Sequence, residues 1–255
     1  MAFFQFNKIL KHSLYIVFIS LNLYAENPMV DGNIHLGFEL ENGVNEKHKK
    51  DFLLNLNYQK EKEELQLYLD YAYETTKTEN RPKVENKDEL IGVLTYQKFL
   101  ENKHFYYASI AGDYDRPKHI LNRYIPSLGY GKKYLFAGQS KWVEPSLGIG
   151  YATTEYTEHF PEKNFAVLAL KLQGNYKFEK IGHLNNLTLD GFAIYYPHIS
   201  SFSKDWIFRS KFNLTLPIYD FFSVKLATSW INDSNPDPTI GNNKTTYKLL
   251  FGFDF

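Results

Sequence analysis

Apolar and polar residues alternate along most of this chain with a period of two, which is typical of β-strands with unlike faces. The stretch from Thr245 to Phe255 shows the pattern clearly. Its apolar face carries Tyr247, Leu249, Phe251, Phe253 and Phe255. Such a strand fits a sheet with one apolar wall.

The same alternation divides the chain into segments of about ten residues, the length that a tilted membrane strand requires. We count about twelve of them. They cover residues 32–40, 51–60, 64–76, 89–100, 104–114, 119–131, 141–156, 165–178, 186–197, 206–218, 220–232 and 245–255. The connections near 131–140 and 179–185 are long, so counts of ten or fourteen stay open. The pattern predicts an all-β, antiparallel, up-and-down transmembrane barrel.

The connections follow a second pattern. In outer-membrane barrels the periplasmic turns are shorter than the extracellular loops. Long polar stretches occur at odd-numbered connections, at residues 41–50, 77–88, 157–164 and 233–244. If the first strand runs outward, these are the extracellular loops.

Charged residues gather on the polar face, which we expect to line the lumen. A barrel of about eight strands is filled by side chains and one of sixteen leaves a channel, so twelve is intermediate. Both signs occur in similar number, which favours ion pairing and a closed lumen, while a narrow ion-selective pore is the alternative. The predicted lumen-lining residues are Asp70, Glu74, Glu144, Arg123, Arg209, Lys211, Lys225 and Lys248.

The N-terminal 25 residues have the pattern of a signal peptide. Lys8 and Lys11 precede a short apolar run at 14–23, and Ala25 offers a small residue for cleavage. We therefore expect residues 1–25 to be removed and residues 26–255 to form one barrel domain in the outer membrane.

Composition favours a membrane barrel over a water-soluble β-sandwich, whose strands would also alternate apolar and polar residues. Aromatic residues make up 17% of the chain, with 20 Tyr and 21 Phe, and there is no Cys. In a membrane barrel these rings can face lipid or form girdles at the two interfaces. Together with the signal peptide, this favours the membrane barrel, and no apolar run after residue 25 is long enough for a membrane helix.

The charge balance limits the partners. Lys and Arg number 29, and so do Asp and Glu, so no basic surface for nucleic acid is expected. The 8 His have no metal-ligand spacing, and we expect neither a metal nor a cofactor. The expected partners are outer-membrane lipid and small ions or solutes.

The end of the chain resembles the carboxy-terminal signature by which the barrel assembly machinery recognises outer-membrane barrels. By this resemblance, Tyr247, Phe251, Phe253 and Phe255 would form the assembly signal. It also implies that the machinery is a partner during biogenesis.

Longer stretches resemble one protein family. They are "HFYYASIAGDYDR", "NRYIPSLGYGKKY", "WVEPSLGIGYATTEY" and the close from Ile231 to Phe255. They are similar to the uncharacterised outer-membrane proteins described as salt-induced, which are built on domain of unknown function 481. The resemblance implies a non-enzymatic barrel with an envelope-structural or narrow-channel role linked to salt or osmotic stress, and no catalytic residues.

Two alternatives come from other features. In "PHISSF", His198 and Ser200 have the His-x-Ser spacing of outer-membrane phospholipase A, with Asn213 as the candidate third member of a hydrolytic triad. Against this, Ser201 and Phe202 stand where that enzyme has Asn-Gly, so an ordinary polar loop also explains the pair. The second alternative is a binding module carried by the long acidic loops.

Overall fold

The structure is a computed structural model. It describes residues 29–41, 45–78, 84–116, 119–136, 141–157, 162–181, 184–202, 204–219, 222–234 and 243–254. The expected signal peptide and Phe255 lie outside these residues.

Thirteen strands account for almost all of the described chain, with one short 3₁₀ turn at Glu101–Lys103 between the fourth and fifth. The strands are β1 (Met29–Glu41), β2 (Asn45–Lys60), β3 (Glu63–Thr78), β4 (Val84–Phe99), β5 (His104–Asp115), β6 (Ile120–Lys132), β7 (Tyr134–Leu135), β8 (Lys141–Tyr156), β9 (Lys163–Ile181), β10 (Leu184–Pro197), β11 (Trp206–Tyr219), β12 (Phe222–Asp233) and β13 (Asn243–Asp254). In the described part of the chain, no helix is long and apolar enough to cross a membrane.

The sheet closes on itself. Each strand pairs antiparallel with its neighbours in sequence, and β1 pairs with β13 through contacts such as Ile34 opposite Phe253. The two-residue β7 continues the line of β6, since both pair with β8. When β6 and β7 are counted as one, the barrel has twelve strands around its circumference, which we call staves. The predicted antiparallel barrel of about twelve strands is confirmed. The closing ladder joins residues 33–36 of β1 to residues 251–254 of β13. A sheet in lipid requires such closure, because an open edge would leave backbone groups unpaired.

The strands extend further than the sequence pattern predicts. Residues 41–50 and 77–88, expected to be loops, belong largely to β2, β3 and β4. Asn45 still pairs with Thr78 at this end of the ladder. Backbone pairing continues there because the hydrogen bonds of the ladder do not depend on apolar side chains. The long connection expected at 179–185 is also wrong, because β9 and β10 are separated only by residues 182–183.

The two ends of the barrel differ. One end, called the turn end, holds the start of β1, the end of β13 and the connections at residues 61–62, 100–103, 136–140, 182–183 and 220–221. The other, called the loop end, holds the connections at residues 42–44, 79–83, 116–119, 157–162, 198–205 and 234–242. The longest connections lie at the loop end.

The outer wall is apolar. Leu128 on β6 lies opposite Ile149 on β8, and each side chain is 64% exposed. Exposed apolar residues continue around the barrel at positions such as Leu36, Ile110, Leu170 and Leu249. Such contiguous apolar surface is unusual for a soluble protein but suits contact with lipid. The fold is thus that of a transmembrane β-barrel.

Candidate functional site in the lumen

The interior of the barrel is filled with side chains. Tyr68 packs against two separate clusters of buried apolar residues, one on the side of β4 to β11 and one formed by Leu53, Ala227 and Leu250. It also meets Phe192 edge to face, with 5.7 Å between the ring centroids. We call Tyr68, Phe192 and these two apolar clusters the lumen layer. Every stave contributes a buried inward residue to the interior, in chain order His35, Leu53, Ala72, Val93, Ala111, Ile125, Ala152, Val167, Ile194, Ile207, Ala227 and Leu250.

Two glycines leave room for the buried side chain of Tyr107 against the wall of the barrel. Gly129 on β6 lies opposite Gly148 on β8, and a Cβ on either residue would clash with the ring of Tyr107. The Tyr107 ring therefore lies against the bare backbone of two strands. In the sequence these glycines fit no phosphate-binding pattern, and the structure gives them a packing role.

An ion-paired group surrounds Asp70 beside the lumen layer. Its carboxylate lies 2.5 Å from Lys248 Nζ and 3.3 Å from Lys211 Nζ, and it accepts a hydrogen bond of 2.8 Å from the Tyr68 hydroxyl. Lys248 also lies 3.2 Å from Asp51. All four charged side chains are buried. Buried charges are stable only when they are paired and hydrogen-bonded in this way.

A second ion-paired group lies toward the loop end. Arg209 on β11 donates to Asp113 on β5, on the far side of the barrel. Arg123 lies 2.9 Å from Asp233 and 4.0 Å from Asp113. Two guanidinium groups and two carboxylates thus tie four staves together across the lumen.

A third group lies toward the turn end around Glu144, which is fully buried. Its carboxylate lies 2.9 Å from Lys133 Nζ and accepts hydrogen bonds from Gln97, at 3.2 Å, and Gln173. Glu64 is 3.8 Å from the same Lys133. Lys133 therefore pairs with two buried carboxylates.

Two predicted residues remain. Lys225 on β12 donates to Asn33 on β1 at 2.9 Å, reaching over β13, which pairs with both strands. Glu74 is half-buried near the loop end, where Asn86 on β4 lies 3.5 Å away. Of the eight residues predicted to line the lumen, seven are buried and Glu74 is half-buried.

Sequence reasoning missed several partners of these residues. Asp51, Glu64 and Asp113 occupy inward positions of predicted strands, so counting by twos from their neighbours could have found them. Lys133 lies between β6 and β7, where the strand pattern is interrupted. No local signal marks its side chain as inward.

The predicted His198 group differs from expectation. Ser200 Oγ lies 3.1 Å from His198 Nε2, and Ser201 Oγ lies 2.8 Å from Nδ1 and donates to Asp205 at 2.9 Å. Asn213 is not the third member: it lies eight residues along β11 from Asp205, roughly 26 Å at the usual strand rise. Its side chain instead donates to Asp190 at 2.7 Å.

The remaining predicted positions lie on or near β13. The side chains of Tyr247, Phe251 and Phe253 are exposed on the outer wall, at least half of each being accessible. Phe253 stacks edge to face with Phe222, at 5.9 Å between centroids. Within the described residues, no group of three or more His, Asp or Glu could hold a metal ion.

A cavity of about 640 Å³ opens between the lumen layer and the turn end. Along β1, Asp31 at its mouth is exposed, Asn33 is half-buried and His35 is fully buried. Tyr68, Phe192 and Lys211 line its inner part. The interior therefore has a vestibule at the turn end that stops at the lumen layer.

These features define the class of protein: a closed twelve-stave transmembrane β-barrel whose lumen is filled with side chains. The chain belongs to the family described as "Protein of unknown function, DUF481", whose model matches residues 34–255. The predicted family of domain of unknown function 481 is thereby confirmed. No curated protein is significantly similar in sequence.

Several solved barrels are similar in shape. The NanC porin is 12% identical, with 88% of this chain and 99% of that chain covered and a TM-score of 0.47. The translocator domain of the autotransporter NalP from Neisseria meningitidis is 8% identical, with 98% and 95% covered and a TM-score of 0.39. A porin refined at 1.8 Å is 7% identical, with 90% and 100% covered and a TM-score of 0.38. At these values the similarity does not extend to function.

Proposed function

We propose that this protein is an outer-membrane barrel whose lumen is closed at rest, so that it serves the envelope as a sealed wall rather than as an open porin. The observation that supports this most is the lumen layer, in which Tyr68 bridges two apolar clusters from opposite sides. Ions crossing this layer would lose their hydration without gaining partners, because the charged groups beside it are already paired.

The outer membrane is the proposed location. A closed sheet with an apolar outer wall satisfies every backbone group without water, which is what a bilayer demands. The expected signal peptide at residues 1–25 and the outward aromatic residues Tyr247, Phe251 and Phe253 support export and recognition by the barrel assembly machinery. In this orientation the turn end faces the periplasm and the loop end faces outward.

The proposal is of a non-enzymatic protein. The His198, Ser200, Ser201 and Asp205 side chains bond to one another within the single connection from β10 to β11, which accounts for them as a loop-fixing network. The acidic segment 235–242 of the binding-module alternative lies outside the described residues. No feature of the described residues favours a salt-specific role, and that role is not part of the proposal.

Conductance of the refolded mature protein in a planar bilayer tests the closed lumen. The wild-type protein is expected to be silent, while the double variant Tyr68→Ala/Phe192→Ala, which removes the rings that bridge the lumen, is expected to conduct. Heat-modifiable mobility on gels verifies that both are folded barrels. Steady, ion-selective current steps from the folded wild type would overturn the proposal.

A further inference from the structure

The vestibule at the turn end has the size and lining of a ligand site. Its volume of about 640 Å³ falls within the range of roughly 300–1,000 Å³ typical of small-molecule sites. It is blind, because the lumen layer forms its floor at Tyr68 and Phe192. Such a space can hold a ligand that enters and leaves by the same mouth.

The lining is unusually rich in side-chain amides. Amides both donate and accept hydrogen bonds, and they do so in one plane. Five of them already donate through their NH₂ groups. Asn55 donates to Asn33, Gln66 to Glu64 and Gln173 to Glu144. Asn57 donates to Asp31 at 3.2 Å, and Asn213 donates to Asp190 at 2.7 Å. The side-chain oxygens of Asn57 and Asn213 are buried without a hydrogen-bond partner among the described residues, so each would accept a hydrogen bond from a ligand after its amide turns toward the cavity. The amide residues of the lining are Asn33, Asn55, Asn57, Gln66, Gln173, Asn175 and Asn213.

Aromatic rings complete the lining. Trp142 is half-buried on β8, and Lys133 Nζ lies 4.3 Å from its ring centroid, which holds the indole in place. Deeper in the cavity, Phe192 and Tyr68 are held by their edge-to-face contact. Rigid rings offer flat apolar surfaces on which the C–H faces of a sugar ring can pack, while the amides reach its hydroxyl groups.

The charges in the cavity disfavour strongly ionic ligands. Asp31 at the mouth would repel an anion, while Lys211 is already paired with Asp70 and Glu64 with Lys133. Lys177, also in the lining, would oppose a polycation. A neutral ligand with many hydroxyl groups fits both the amides and this mixed charge.

We propose that the vestibule binds a short neutral saccharide that enters from the turn end. The proposal rests on the closed lumen of the proposed function, because the lumen layer supplies the floor of the site. Trp142 packs on the sugar ring, and Asn57 and Asn213 bond its hydroxyl groups. Asp31 stands at the mouth.

Isothermal titration calorimetry on the refolded barrel tests the site with four neutral probes: N-acetylglucosamine, its β-1,4-linked dimer, cellobiose and maltose. Spermidine and sulfate serve as charged probes. The protein is kept in a zwitterionic amine-oxide detergent, because the headgroup of a maltoside detergent is itself a saccharide. We expect saturable binding of at least one neutral disaccharide and none of spermidine or sulfate.

Variants locate the binding. Trp142→Ala and Asn57→Leu are each expected to weaken it by about tenfold or more, while Trp142→Phe keeps most of it. Trp230→Ala is the matched control, since Trp230 is exposed on the outer wall and leaves binding unchanged. The proposal is overturned if folded wild type binds none of the neutral probes, binds a charged probe instead, or binds as well after both Trp142→Ala and Asn57→Leu.

The two proposals fail separately. Current steps from the wild type, together with sugar binding that depends on Trp142, would refute the closed lumen and support the saccharide site. A folded barrel that shows no conductance and binds no neutral probe would refute the saccharide site and support the closed lumen.

Discussion

Replacing Asp70 by Asn is expected to destabilise the barrel strongly. The carboxylate holds two buried ammonium groups, Lys248 at 2.5 Å and Lys211 at 3.3 Å, as well as the Tyr68 hydroxyl. Removing one partner of a buried ion pair costs about 3–5 kcal/mol, because the remaining charge is left uncompensated. We expect about 3 kcal/mol, the lower end, because Lys248 keeps Asp51 at 3.2 Å and an amide oxygen can still accept a hydrogen bond.

The free energy of unfolding can be measured by urea titration of the barrel refolded in lipid vesicles, followed by tryptophan fluorescence. Asp31→Asn is the matched control, and because Asp31 is exposed at the mouth it should change stability by about 1 kcal/mol or less. The triple variant Asp70→Leu/Lys211→Met/Lys248→Met removes these three charges and should recover most of the loss, because Asp51 keeps its ion pair with Lys49 at 3.3 Å. A loss below about 1 kcal/mol for Asp70→Asn, or a triple variant as unstable as the single one, would refute this reasoning.

Two further changes test the wall of the barrel. Gly148→Ala places a Cβ against Tyr107 and the Leu128 carbonyl and should cost about 1–3 kcal/mol in the same unfolding assay. The control Gly112→Ala should be tolerated, because its Cβ would stand 3.5 Å from the nearest atom. Equal stability of the two variants would contradict the packing role of Gly148. Leu128→Arg puts a charge on the outer wall and should cost about 2–4 kcal/mol in vesicles if Leu128 lies near the bilayer midplane. An unchanged Leu128→Arg barrel would mean that this face does not contact lipid.

The strands and their faces could be predicted because alternation is a local property. In an extended chain, residues two apart share a face whatever the rest of the molecule does. This is why Asp70, Arg209, Lys211 and Lys248 were all assigned to the inner face before any pairing was known. The strand ends were less predictable, since the polar residues at 45–50 pair through their backbone as well as apolar residues do.

The sequence by itself therefore determined the class of fold and the approximate strand number, and it predicted a face for part of the charged residues. Only the tertiary structure decided which charges meet. Asp70 is 141 residues from Lys211 and 178 from Lys248, and the three side chains come together only after closure and register are set. The prediction for Asn213 shows the same limit. Asn213 is near His198 along the chain, but the structure does not bring the two side chains together. Register and closure are cooperative properties of all twelve staves, and no local pattern contains them.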